Sequence, residues 1–433
     1  MRQIKSGFLI ALVTIFSYSF SFAQSTVSPY SAYGIGIMAE RSYAPNLGMG
    51  GAGLAYSSPW FIPALNPALL GSQSFSSFEA GITIRNTAIR DEINRFDQVN
   101  GGLQYVALAL PIVQGKYGIS LSLNPYSSKS YSLLETFDET DVVRPLSKSF
   151  TGEGNISQFR LSNGWNINKN ISVGAEANYN FGVITERSTT RNIIDDVDTI
   201  ALPYLVASQN VNNYADVSFL IGVRLRKNIK KNTLALGATY SFQNDLNTTK
   251  NNSLEYLSLS GDPINRSSSL ADSSNFRTRD LQGVTTIPAK LSVGLSYYRQ
   301  GKWAIAVDYS YQDWSNYALN GSTSPNLQAA NALNLGGEYT PNIQSGSKYF
   351  ERVTYRAGFY SKNGPIIIDN TQINSFGVTF GATLPISKVS NINIGLEVGQ
   401  RGTLENALVR ENYFGIYLSF TYNDRWFIRR QFD

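Results

Sequence analysis

The chain has 433 residues with no cysteine and no histidine, and its 36 basic and 31 acidic residues give a formal charge of +5. Without cysteine there is no disulfide framework and no lipid-bearing thiol. Without histidine, catalysis by a Ser-His or Asp-His pair and the usual zinc sites are excluded, so neither an enzyme nor a cofactor is expected. Setting aside Arg2 and Lys5 of the leader described next lowers the charge to +3, too balanced to point to nucleic acid.

Arg2 and Lys5 precede an apolar stretch from Gly7 to Phe22, and Ser21-Phe22-Ala23 ends in the small residues that a signal peptidase reads. Residues 1–23 are therefore expected to be a secretory leader, cut before Gln24. Ser17, Ser19 and Ser21 interrupt the span that a retained membrane anchor would need.

Residues 24–74 do not alternate and are rich in Gly and Pro. Gly48, Gly50 and Gly53 satisfy G-x-G-x-x-G, the spacing of a dinucleotide loop, but no strand precedes them and Pro59, Pro63 and Pro67 forbid the helix that should follow. With Gly51, these glycines suit a backbone that packs closely against another surface. Asn66-Pro67-Ala68-Leu69-Leu70-Gly71 reads as one short helical turn, with Asn at the cap and Pro in the first position.

From residue 75 to 423 the sequence alternates with a period of two. In Ile171 to Val183 every second residue is apolar, and Ser172, Gly174, Glu176, Asn178, Asn180 and Gly182 lie between. Fourteen segments are expected as strands, near 75–88, 101–112, 115–132, 146–166, 170–187, 210–226, 232–250, 279–299, 302–318, 327–340, 349–362, 371–386, 391–403 and 411–423. A secreted sandwich would also alternate. The segment lengths, the aromatic residues near their ends and the even count favour an all-β transmembrane antiparallel barrel. Connections after even-numbered strands are mostly tight, while 133–145, 188–209 and 251–278 are long, so the long loops should face outward. Residues 424–433 form a basic, aromatic tail expected at the periplasmic rim.

A leader, G-M-G-G-A-G-L-A, N-P-A-L-L and fourteen alternating segments together resemble the outer-membrane long-chain fatty-acid transporters, the FadL-like barrels. The resemblance implies that 24–74 is a hatch in the lumen, with Gly48, Gly50, Gly51, Gly53, Asn66, Pro67 and Ala68 as its motif. It also implies passive uptake of a hydrophobic small molecule through the outer membrane of a Gram-negative bacterium, with no ATP, metal or cofactor. In that family the third and fourth outer loops first capture the ligand. Here they carry Ile200, Leu202, Tyr204 and Leu205, then Leu254, Tyr256, Leu257 and Leu259. Packing between loops or longer strands would equally explain these residues. Arg224, Asp308, Arg356 and Glu397 fall on the inward face, where bonds to the hatch are the expected role. Outer-membrane lipids and the ligand are the expected partners. A second reading makes the chain a non-transporting subunit of a larger outer-membrane secretion or assembly complex, in contact with other outer-membrane or periplasmic proteins.

Overall fold

The computed structural model describes residues 27–137, 146–192, 205–257, 276–344, 346–387 and 389–424. The expected leader, the tail beyond Asp424, and Ile200, Leu202, Tyr204 and Leu259 lie outside these residues.

Fourteen antiparallel wall strands follow in chain order: β1 Ser76–Arg90, β2 Arg95–Val113, β3 Tyr117–Phe137, β4 Leu146–Asn166, β5 Ile171–Asn192 and β6 Leu205–Ile229. Then come β7 (Asn232–Ser241 and Asn244–Leu257), β8 (Phe276–Ile287 and Lys290–Arg299), β9 Trp303–Asp313, β10 Ala329–Tyr339, β11 Thr354–Ile368, β12 Thr371–Pro385, β13 Ser390–Gly402 and β14 Arg410–Asp424. β14 pairs with β1 from Asp424–Ser76 to Arg410–Arg90, which closes the barrel and leaves no free edge at that joint. Alternation decides which side chain faces lipid. On β5, Tyr179, Phe181 and Val183 are exposed while Ser172, Glu176, Asn178 and Asn180 are buried. Exposed Leu291, Val293 and Leu295 of β8 sit in register with Tyr311, Tyr309 and Val307 of β9, part of an apolar outer belt that only hydrocarbon can cover.

Several strand ends differ from expectation. β6 begins at Leu205 and β7 runs to Leu257, because their upper halves pair from Leu205–Leu257 to Tyr214–Thr248 and lengthen the wall. β8 breaks at Pro288-Ala289, since proline has no N–H for the ladder. β9 ends at Asp313, whose side chain caps the turn Trp314–Asn316 by accepting from the Ser315 N–H. Residues 349–352 form a short helix rather than the start of β11.

The wall also has a seam. β2 and β3 pair only from Val106–Leu123 to Val113–Tyr117, and β3 is irregular at Pro125. Above that point Ile37–Met38 pairs with Ser128–Ser127 in place of β2. The Ser28 N–H donates to the Ser130 carbonyl at 2.8 Å, and the Ala39 N–H to that of Tyr126 at 2.9 Å.

The segment ahead of β1 starts beside the outer half of β2, where Gln98 donates to the Val27 carbonyl, and ends at the periplasmic start of β1. Along the way its contacts reach strands on every side of the barrel. Examples are Glu79 of β1, Tyr105 of β2, Glu176 of β5, Asp308 of β9, Thr379 of β12 and Asn423 of β14. A single segment can touch opposite walls in this way only from within the lumen.

Candidate functional site

Wall glycines make room for this segment. Gly118, Gly164, Gly174 and Gly222 are paired in register across β3 to β6, as are Gly237 with Gly294, Gly336 with Gly358, and Gly381 with Gly395. A Cβ on Gly164 would stand 2.2 Å from the Pro67 carbonyl oxygen, and one on Gly222 would stand 2.2 Å from Asn66 Oδ1. On Gly336 it would meet the Met49 carbonyl oxygen at 2.1 Å, and on Gly358 the Gly50 nitrogen at 2.1 Å. The wall can come this close to the segment only because it carries no side chain at these positions.

The two halves of the expected motif meet. Gly50 and Gly51 take φ of +67° and +81°, a region open mainly to glycine, and fold the chain back. The Gly50 N–H donates to Thr379 Oγ1 at 2.8 Å, and the N–H groups of Gly53 and Leu54 donate to Asp308 Oδ2 at 2.7 and 2.8 Å. The amide donors that a pyrophosphate would need are thus taken by wall oxygens. Asn66 Nδ2 donates to the carbonyls of Leu54 and Val223 at 3.2 and 3.1 Å, and Asn66 Oδ1 caps the 3-10 turn Pro67–Ser72 by accepting from the Ala68 N–H at 3.0 Å. Gly71 falls inside that turn, which runs on to Ser72.

The four inward charges divide. Asp308 holds Gly53 and Leu54, and Arg224, fully buried, donates to Ser72 Oγ at 2.6 Å. Arg356 instead pairs with Glu338 of β10 at 3.0 Å, and Glu397 accepts from Arg85 at 2.8 Å and from Tyr360 and Tyr417. Burial of these groups without such partners would be costly, so the wall charges either grip the segment or neutralise one another.

Two cavities stand out among the described residues. The outer one, about 360 Å³, lies between the segment and the outer loops. Ile35, Met38, Tyr126, Ile287, Trp314 and Leu327 give it an apolar side. Its opposite side carries Arg160 and Lys290, neither of which forms an ion pair among the described residues, whereas nearby Lys362 is paired with Glu40 and Arg41 with Glu176. Arg160 Nε donates only to Gln158 Oε1, at 2.7 Å. The β9–β10 connection roofs this cavity. Ala318–Leu319 adds to the edge of β8 opposite Thr286–Thr285, Asn320 and Gly321 make a tight left-handed turn, and Trp314, Tyr317 and Leu327 pack on Ile35 and Ile287. Reading 302–318 as one strand missed this roof, although Asp313-Trp-Ser and Asn320-Gly321 are its cap and turn signals. The inner cavity, about 290 Å³, lies under the segment at the periplasmic end and is bounded by Trp60, Phe61, Ile343, Arg352 and Glu338.

Of the residues expected to capture ligand, Leu205, Leu254, Tyr256 and Leu257 belong to the raised ladder of β6 and β7, and the first three line neither cavity.

No curated protein matches the chain. Among solved structures, a FadL homologue of Pseudomonas aeruginosa superposes with a TM-score of 0.58 at 13% identity, covering 89% of this chain and 99% of that one. The toluene transporter TodX of Pseudomonas putida gives 0.55 at 15% identity, over 90% and 99%. The toluene transporter TbuX of Ralstonia pickettii gives 0.51 at 16% identity, over 89% and 98%. At these identities the likeness is one of fold, and it agrees with the apolar belt in placing the barrel in the outer membrane. Residues 3–433 match the family model described as BamG, so the chain belongs to the BamG family, built on a FadL-like outer-membrane barrel.

Proposed function

We propose that the protein passes amphiphilic hydrophobic molecules through the outer membrane without an energy source, with residues 24–74 as the hatch. The observation that carries this reading is the divided lining of the outer cavity. An apolar side faces Arg160 and Lys290, two cations that form no ion pair among the described residues, while the nearby acids Glu176 and Glu40 are bound to Arg41 and Lys362. A molecule with a hydrocarbon tail and an anionic head would satisfy both sides at once. That solved barrels of the same fold are described as toluene transporters supports a hydrophobic cargo. In this reading Ile200, Leu202, Tyr204, Leu205, Leu254, Tyr256, Leu257 and Leu259 make the first contact at the cell surface.

Cells lacking the protein should take up a fluorescent long-chain carboxylate slowly, and the wild-type gene should restore the rate. A charge-assisted hydrogen bond contributes about 1.5–3 kcal/mol, so Lys290→Ala should weaken binding of that probe by roughly tenfold or more. Uptake that ignores both deletion and substitution would overturn the reading.

One observation favours the second reading, a barrel subunit of a larger secretion or assembly complex. The hatch is bonded to the wall along its whole path, from Val27 at the outer half of β2 to Ser72 beside Arg224, as a static plug would be. Mild purification from outer membranes, followed by mass analysis of lipids and proteins together, separates the two readings. A stoichiometric protein partner without bound amphiphile would select the second.

A further inference from the structure

The inner cavity has features that a plain gap beneath a plug does not need. Trp60 and Phe61 of the hatch form its apolar side together with Ile343 from the β10–β11 connection, the longest described connection at the periplasmic end. Arg352, at the end of the helix Tyr349–Arg352 in that connection, lines the same space. Its guanidinium lies 5.5 Å from the Tyr349 ring centre, its Nε has no hydrogen-bond partner, and it makes no ion pair among the described residues. The other cation there, Arg356, is committed to Glu338 at 3.0 Å and to Thr383 Oγ1 at 2.5 Å. The inner cavity therefore repeats the chemistry of the outer one, an aromatic and aliphatic surface beside a cation that forms no ion pair among the described residues.

The two cavities are near neighbours. Asn334 lines the outer cavity and Glu338 the inner one, on the same face of β10. Between them stands Gly336, on which the Met49 carbonyl rests. One thickness of hatch backbone at Met49-Gly50 separates them along that strand.

We propose that the inner cavity is a second binding station for the same class of anionic amphiphile, with Arg352 holding the head and Trp60, Phe61 and Ile343 the tail. It would receive the molecule on the periplasmic side of the hatch. The proposal rests on the transport reading above, and its test can fail separately from that reading.

Trp314 borders the outer cavity and Trp60 the inner one, so each can report on its own site. Two single-tryptophan proteins, one keeping Trp60 and one keeping Trp314, with the other tryptophans changed to Phe, would be titrated with dibromostearate in detergent. Unbrominated stearate serves as the control. Bromine quenches indole only at close range, so saturable quenching of both tryptophans is expected. Arg352→Ala should remove most of the Trp60 quenching and leave that of Trp314, while Arg352→Lys should keep both. Trp60 that stays bright while Trp314 is quenched overturns the second station and spares the transport reading. Neither tryptophan responding overturns both. Trp60 quenching that Arg352→Ala leaves unchanged reports probe dissolved in the micelle and also overturns the proposal.

Discussion

The outer and inner faces of the wall are made by the same fourteen strands, with neighbouring residues assigned to opposite faces, yet they obey different rules. On the lipid side Ile305, Val307 and Tyr309 need only be apolar, because hydrocarbon is a fluid that conforms to any of them. On the lumen side Gly336, Asp308 and Gly358 each meet particular atoms of the N-terminal segment. The outer face is thus specified by composition and the inner face by fit.

That contrast can be broken in order of severity. Gly358→Leu should have the largest effect, because its Cβ would fall 2.1 Å from the Gly50 nitrogen, and backbone on both sides leaves nothing to yield. Little heat-modifiable, folded barrel should reach the outer membrane, as seen by gel shift, whereas Phe359→Leu on the adjacent outward position should assemble normally. Asp308→Ala comes next. It leaves the Gly53 and Leu54 N–H groups without their acceptor, at roughly 1–3 kcal/mol for each orphaned donor. The barrel should still fold but loosen the hatch, measurable as sensitivity to a large antibiotic that the wild type excludes. Asp308→Asn keeps an acceptor and should lie between the two. Tyr56→Phe removes a single bond to Glu338 and should lower unfolding stability by about 1 kcal/mol. Ile305→Leu, on the lipid face, should change stability by less than about 0.5 kcal/mol. If it proved as damaging as Asp308→Ala, the distinction between the faces would fail.

The same contrast explains what could be read in advance. Strand number, closure and the inward set Ser172, Glu176, Asn178 and Asn180 were legible because a period of two needs no knowledge of partners. The glycines of the hatch motif were legible as packing residues, but not their seats, since the partners Gly336 and Gly358 lie some three hundred residues away in sequence. The cavity cations were hidden for the same reason. Lys290 opens a strand like any solvent-facing lysine, and only the three-dimensional arrangement shows that it forms no ion pair among the described residues, Glu40 being bound to Lys362. The raised end of β7 was missed because Asn251 to Ser253, residues usual in loops, open it where barrel hydrogen bonding overrides propensity, and that of β6 because Leu205 to Gln209 read as part of the apolar outer loop.

The interlocked glycine seats also set the order of assembly. The segment ahead of β1 precedes every wall strand in the chain, and the β14–β1 joint encloses the space that this segment fills. With its backbone packed on wall backbone at Gly164, Gly336 and Gly358, and Asn66 set against Gly222, the N-terminal segment has little clearance for being threaded into a finished barrel. The expected consequence is that the segment serves as a mandrel, with the strands curling around it so that insertion into the membrane and seating of the core coincide.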